Sequence, residues 1–420
     1  MTKKSSLRQL LAIERALPIC LRQQRAILLA KESIAQGEQR RAFGRKRHGS
    51  AFGVRIDGMI ARRLLPVLMY TTAVSAVAPI QYKLQGLDLA ARWQTLVRAG
   101  SVSAATDIGE SYGVTKIDGD LRFFVRGATP KARAINATLA ASGDGLRVVK
   151  DGLFVAQLQL SRALRPAPGF ETGGFDETSC TPPRYEPGSL VVGDLRLQAR
   201  PRAAEITVNG RAWDCYQNVA PSDPRGHFLL LPCVDDQRNW RAQRLTKEDC
   251  ADLCGFDTAL ALVFNSIGAG ASQNHIHAHA WPALPVGAVE YAVERANVAR
   301  VRRVGDVEVE LLDYPLCAVR LRGAGRGAAL GRAVAAMGQR PHNVAVLDGA
   351  AYLFARRYER APQFAGRFGA AECLGVFHCT NEGDFEKAAA PGTMHAALAA
   401  VSAPAGEVWE EVIGALESLS

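Results

Sequence analysis

Apolar positions change their period along this 420-residue chain, and the changes mark out its elements. Leu7, Leu10, Leu11 and Ile13, then Leu21, Ile27, Leu28 and Leu29, stand among Arg and Gln at a spacing that predicts amphipathic helix over 5–35, interrupted near Pro18. Leu64–Ile80 is an uncharged run of 17 residues, at the short limit for a membrane-spanning helix. Pro66, Pro79, Thr71, Thr72 and Ser75 lie inside it, so it reads as buried helix or strand, with no membrane association expected. Over 81–149 short helices and strands alternate, with a strand at Leu121–Val125 and turns at Asp118-Gly119 and Asp144-Gly145.

After Lys150 the pattern becomes more regular. Leu153–Leu160 alternates like a strand, Pro166–Pro187 is a loop, and Ser189–Gln217 holds several short strand candidates. The turn-forming stretch Asn218–Gly226 leads into a short apolar strand, His227–Pro232. Thr246 caps a helix with Lys247, Glu248 and Asp249 in its first turn, expected to run to about Phe264. A Gly-rich segment, 266–273, then delivers the chain into Asn274–Pro282. There His275, His277 and His279 alternate with Ile276, Ala278 and Ala280, so an extended backbone sends three imidazoles to one face and small apolar side chains to the other. Further on, Val307–Leu321 reads as strands around Tyr314-Pro315, Gly323–Gly338 as a helix, and His342–Arg357 as a hairpin turning at Asp348-Gly349. Cys373–Thr380 is a further strand, followed by a helix from Asp384.

A hydrophobic share of 48% with mean hydropathy near zero belongs to a globular chain with room for two or more domains. Nine scattered cysteines, with no C-x-x-C pair, suggest neither a disulfide framework nor a zinc ribbon and fit a reducing cytoplasm. The formal charge of +10 is uneven: residues 1–63 hold 15 Lys or Arg against 4 Asp or Glu, which leaves 36 against 37 for the rest. The basic cluster Arg40–His48 reads as a solvated tail, with nucleic acid or an acidic partner as the alternative occupant.

The central stretch carries the candidate chemistry. Gly268 and Gly270, flanked by Ser266 and Ser272, let the backbone approach a phosphate. A histidine beside such a loop can attack phosphorus, so that one difficult displacement becomes two easier ones, and neighbouring imidazoles or carbonyls can hold its other nitrogen. The rival reading of His-x-His-x-His is a metal site, although only Asp257 and Glu290 lie near enough in sequence to add a carboxylate.

Gly226–Pro232 paired with Asn274–His279 resembles the histidine-triad superfamily of nucleotide hydrolases and transferases. Phe154–Leu158, Asn218–Pro221, Asn265–Gly268 and Pro341–Val344 through Asp348 to Phe354 narrow the resemblance to the GDP-hexose phosphorylases, over about Leu153–Ala389. The resemblance implies an α+β, histidine-triad-like fold with a mostly antiparallel sheet, flanking helices and two related half-domains; it leaves the first eighty residues unexplained, and their charge and spacing read as a basic helical N-terminal extension. The expected division is 1–80, 81–300 and 301–420. It implies transfer of a guanylyl group from a GDP-hexose to inorganic phosphate, giving GDP and hexose 1-phosphate, with neither cofactor nor metal. His277 matches the nucleophile and His275 the residue that orients it. Asn265, Ser272, Gln273 and Asn274 fall where the family holds phosphate oxygens, and Asn218 and His227 would line the nucleotide pocket. The third triad position is usually glutamine in this branch, whereas here it is His279. Hydrolysis or phosphorolysis of another conjugate such as diadenosine tetraphosphate therefore stays open, as does a non-catalytic nucleotide- or RNA-binding protein.

Overall fold

The structure, a computed structural model, describes residues 83–105, 110–117, 120–141, 147–164, 203–218, 220–232, 241–282 and 290–418. The chain divides into two units, Met1–Val77 and Ala78–Ser420, and every described residue lies in the second. The expected helix over 5–35, the basic cluster, the Leu64–Ile80 run, the turns at 118–119 and 144–145 and the loop over 166–187 lie outside the described residues. Among the described residues no helix is long and apolar enough to cross a membrane.

The first described elements are a small hairpin, β1 (Lys83–Leu84) and β2 (Leu87–Asp88), then helix α1 (Leu89–Arg98), capped by the Asp88 carboxylate accepting from Ala91 N–H. A three-stranded sheet follows, β3 (Ser103–Ala105), β4 (Ser111–Ile117) and β5 (Asp120–Arg126), and then helix α2 (Pro130–Ala141). The hairpin of β6 (Arg147–Asp151) and β7 (Phe154–Leu158) closes this part.

Two stretches of chain then build the same arrangement and meet edge to edge. The first runs β8 (Ala204–Val208), β9 (Arg211–Gln217), β10 (Phe228–Pro232), α3 (Lys247–Gly255), β11 (Leu260–Asn265) and β12 (Ala278–Pro282). The second runs β13 (Asn297–Val304), β14 (Val307–Asp313), β15 (Ala318–Arg322), α4 (Arg326–Met337), β16 (His342–Leu347) and β17 (Ala350–Ala355). The resulting ten-stranded sheet has the order β13-β14-β15-β17-β16-β11-β12-β10-β9-β8. In each half the third strand pairs with the fifth and the fourth lies innermost, so the halves repeat one topology. They join where β11 pairs antiparallel with β16, Asn265 opposite Asn343.

The central strands are apolar on both faces because both faces are covered. Phe264, Leu230, Val344 and Val346 share one core with Leu253 of α3, Leu330 and Val334 of α4, and Val412 of α8 (Ala405–Glu417). Helices α3 and α4 approach closely: a Cβ on Gly331 would stand 2.9 Å from Lys247 Cα. On the other face Val263, Ala345, Trp281 and Tyr352 pack with β7, α5 (Ala370–Cys373), β18 (Val376–Cys379), α6 (Glu382–Ala389) and α7 (Thr393–Val401). Pairing among the described strands is antiparallel except for β18 beside β7, which makes the architecture α+β with a mostly antiparallel sheet and flanking helices.

Three expectations are corrected. Helix α3 begins with a capping box, Thr246 Oγ1 accepting from Asp249 N–H and the Asp249 carboxylate from Thr246 N–H, but it ends at Gly255 and not near Phe264. Residues Leu260–Asn265 form β11, whose burial on both faces leaves no period-two alternation to distinguish strand from helix. The regular strand of the triad begins only at Ala278, after His275 and His277. Cys373 ends α5, so the strand expected over Cys373–Thr380 is the shorter β18.

Candidate active site

The Gly-rich segment between β11 and β12 carries two positive-φ glycines, Gly268 (φ 73°) and Gly270 (φ 95°). Both are explained by close packing. A Cβ on Gly270 would stand 2.6 Å from the Phe368 carbonyl oxygen, and one on Gly268 would stand 3.1 Å from the Pro341 ring. Gly270 N–H donates to the Glu359 carboxylate at 3.2 Å, and the Ser266 hydroxyl accepts from His342 N–H at 2.8 Å. Asn265 uses its side-chain oxygen to accept from Asn343 Nδ2 and Ala370 N–H, each at 2.8 Å. Asn274 is buried, with its side-chain oxygen accepting from Gln243 N–H at 2.9 Å. Ser272 and Gln273 are half-buried between them.

Ala278 and Ala280 enter the core under α3 and α4, so the alternation of β12 turns His279 and Trp281 to the other face. His277 lies next to them: its ring centroid is 4.9 Å from that of His279, with 77° between the planes. His277 Nδ1 is 2.7 Å from the carbonyl oxygen of His275. A carbonyl can only accept, so Nδ1 carries the proton and the lone pair of the neutral ring is on Nε2. His275 itself is fully buried, and burial, then the neighbouring His277 and Arg241, push its pKa down to about 3.

A second chain of imidazoles fixes His279. Ser222 N–H donates to His227 Nδ1 at 2.9 Å, so the neutral His227 ring holds its proton on Nε2. That nitrogen lies 3.0 Å from His279 Nδ1, which accepts and leaves His279 protonated on its own Nε2. The Asn218 amide nitrogen, 3.3 Å from the same His227 Nε2, is also a donor, because its oxygen already accepts from Ala220 N–H; the longer contact is therefore not a hydrogen bond. Trp281 closes the flank, its ring 5.3 Å from that of His227. Beside it a narrow crevice is lined by Ser222, Asp223, Trp281, Tyr291 and His378.

The structure thus brings His275, His277, His279, His227 and Asn218 into one cluster and uses Asn265 and Asn274 to hold the surrounding loops. Among the described residues no group of three or more His, Cys, Asp or Glu is arranged to hold a metal ion. Sequence reasoning did not find Gln243, whose side chain bonds to the backbone of both Asn265 and His277, or Glu359 at the Gly270 amide. Neither stands in a recognisable motif or near the triad in sequence.

No protein-family model matches the sequence, and neither does a curated protein. Among solved structures the chain is similar to yeast Ap4A phosphorylase Apa2, at 14% identity and a TM-score of 0.42, covering 66% of this chain and 98% of that one. The same enzyme in complex with Ap4A gives 15% and 0.40 over 66% and 98%, and in complex with AMP 14% and 0.43 over 65% and 96%. At that degree of likeness the assignment of chemistry falls to the residues themselves.

Proposed function

We propose that this protein is a nucleotidyltransferase of histidine-triad type, which moves a nucleoside monophosphate from a nucleotide conjugate to inorganic phosphate through a covalent adduct on His277. The observation that carries the reading is the 2.7 Å contact from His277 Nδ1 to the His275 carbonyl, which points the reactive tautomer's lone pair away from the backbone. In the first step His277 Nε2 attacks the α-phosphorus; the P–N bond forms, the bridging P–O bond breaks, and the leaving phosphate takes the electron pair. The adduct makes the ring cationic, and the His275 carbonyl stabilises the Nδ1–H that now bears part of that charge. In the second step a phosphate oxygen attacks the same phosphorus, the P–N electrons return to His277, and a nucleoside diphosphate leaves.

His279 supports transfer through its tautomer. Held by His227, it offers an Nε2–H to a phosphoryl oxygen and carries no charge, the service a glutamine amide gives at the third triad position. Ser272 and Gln273 are the loop side chains that hold phosphate oxygens, while Asn218 and His227 border the nucleotide. The motif resemblance supports a GDP-hexose as donor; the histidine at position 279 keeps a dinucleoside polyphosphate such as diadenosine tetraphosphate as the second donor. The described cysteines are buried free thiols, which fits a reducing cytoplasm.

The test is a donor panel of GDP-hexoses and diadenosine tetraphosphate, with and without phosphate. A nucleoside diphosphate formed only when phosphate is present supports transfer, and the donor that turns over fastest names the substrate. Nucleoside monophosphate released at the same rate without phosphate contradicts it and makes the protein a hydrolase.

A further inference from the structure

The pairing of β11 with β12 stops two residues before the nucleophile. The register runs from Leu260 opposite Pro282 to Val263 opposite His279, and two residues further it would set Asn265 against His277. There the strands do not pair. The side-chain amide of Gln243 lies between them: Nε2 donates to Asn265 O at 2.9 Å and to His277 O at 3.0 Å, and Oε1 accepts from His277 N–H at 2.8 Å. Gln243 is 3% exposed, and its own N–H is fixed by the Asn274 side chain. Both hydrogens of the amide are used. A flipped amide would set an oxygen against two carbonyls, so its orientation is determined.

The interruption has a purpose in the site. His277 reaches the carbonyl two residues behind it only because the chain at 275–277 leaves regular strand geometry, which begins at Ala278. Leaving the ladder would strand buried polar groups of His277 and Asn265, and a buried N–H or C=O without a partner is costly. The Gln243 amide takes over those bonds across the widened gap. Its segment is itself anchored: Ile276 N–H donates to Arg241 O at 2.9 Å, and the Arg241 guanidinium is held by the buried Asp249 carboxylate at 2.9 and 3.0 Å.

We propose that Gln243 is a positioning residue for His277, an amide inserted into the sheet ladder that holds the nucleophile's backbone where its Nδ1 is locked on the His275 carbonyl. The role rests on the transfer chemistry proposed above for its kinetic consequence, but not for its structural one. Two variants test it, Gln243→Ala and Gln243→Glu; the second keeps the volume and the acceptor for His277 N–H while removing both donors. In protein labelled with ¹⁵N-histidine, the His277 ring of the wild type should show one protonated and one unprotonated nitrogen, and both variants should move it toward a tautomer mixture. With the best donor, kcat for adduct formation should fall about 100-fold, the size expected for a misplaced nucleophile, while KM changes less than about threefold on the same argument that Gln243 touches no substrate.

An unchanged His277 tautomer signature in folded Gln243→Glu overturns the proposal. So does a raised KM at unchanged kcat, and so does loss of the fold in both variants, which would make Gln243 a core residue only. If no nucleotide conjugate turns over in the wild type, the transfer reading fails, and the ¹⁵N signature still decides the positioning role.

Discussion

His277 Nδ1 sits 2.7 Å from the carbonyl oxygen of His275, a contact made within one short stretch of chain that fixes which nitrogen of His277 can react. The imidazole next along, His279, is fixed the opposite way round, with Nδ1 accepting from His227 and Nε2 protonated. A lone pair and a neutral N–H donor are thereby set side by side on rings 4.9 Å apart.

The first prediction concerns that donor. His279→Gln replaces an N–H with an amide N–H of similar reach and should keep phosphorolysis within about tenfold of wild type, whereas His279→Ala should lose about 100-fold or more, the loss typical for one donor at a reacting oxygen. Steady-state rates on the best donor separate the two. Equal loss in both variants would mean that His279 does something an amide cannot, such as proton transfer.

A second prediction tests the support beneath α3. The buried Asp252 carboxylate accepts from Arg211 at 2.7 Å, from Trp213 Nε1 at 2.9 Å and from Asn209 Nδ2 at 3.1 Å. Asp252→Ala leaves the buried indole N–H without its acceptor and should cost about 3 kcal/mol, discounting the half-exposed arginine. Urea unfolding checks this, and a loss under about 1 kcal/mol would assign the cluster to the surface class of ion pairs.

Acid stability gives a third. Burial holds the pKa of His342 below the usual histidine range, partly offset by the hydrogen bond to the Arg340 carbonyl, and the nearby Arg244 adds a smaller push in the same direction as burial. Burial likewise holds His275 near 3. Between the folded and unfolded pKa values the unfolded chain binds the extra protons, so stability is full above about pH 6.5 and falls as pH drops below it. Replacing His342 with Phe removes one titrating group and should flatten the slope of unfolding free energy against pH, by up to about 1.4 kcal/mol per unit, just below the unfolded histidine pKa of about 6.5. An unaltered slope would show that His342 titrates normally.

Much of this was legible in the chain. The apolar strand after His227, the Thr246 cap and the Asp348-Gly349 hairpin each follow from local chemistry, and each lies where the residues suggest, whereas of the His275-x-His277-x-His279 alternation only His279 stands in the regular strand; Asp348 and Gly349 adopt φ of 38° and 75°, the left-handed pair such a turn requires. What was not legible depends on pairing over distance. Residues Leu260–Asn265 are buried on both faces, which erases the period that would separate strand from helix. The glycines at 268 and 270 read as a phosphate cradle, but Pro341 and Phe368–Gly369, about 70 to 100 residues away in sequence, are what press against them. Gln243 looks like any loop glutamine until β11 and β12 are seen to part around it.

The central claim is the covalent step on His277, and intact-mass spectrometry tests it most directly. Wild-type protein incubated with each donor in the absence of phosphate and quenched at alkaline pH should gain the mass of one nucleoside monophosphate, lose it on addition of phosphate, and carry it on a peptide containing His277. His277→Ala and His277→Gln should bind nucleotide and gain nothing. An adduct of the same mass in either variant, or full turnover without any adduct, would contradict the account.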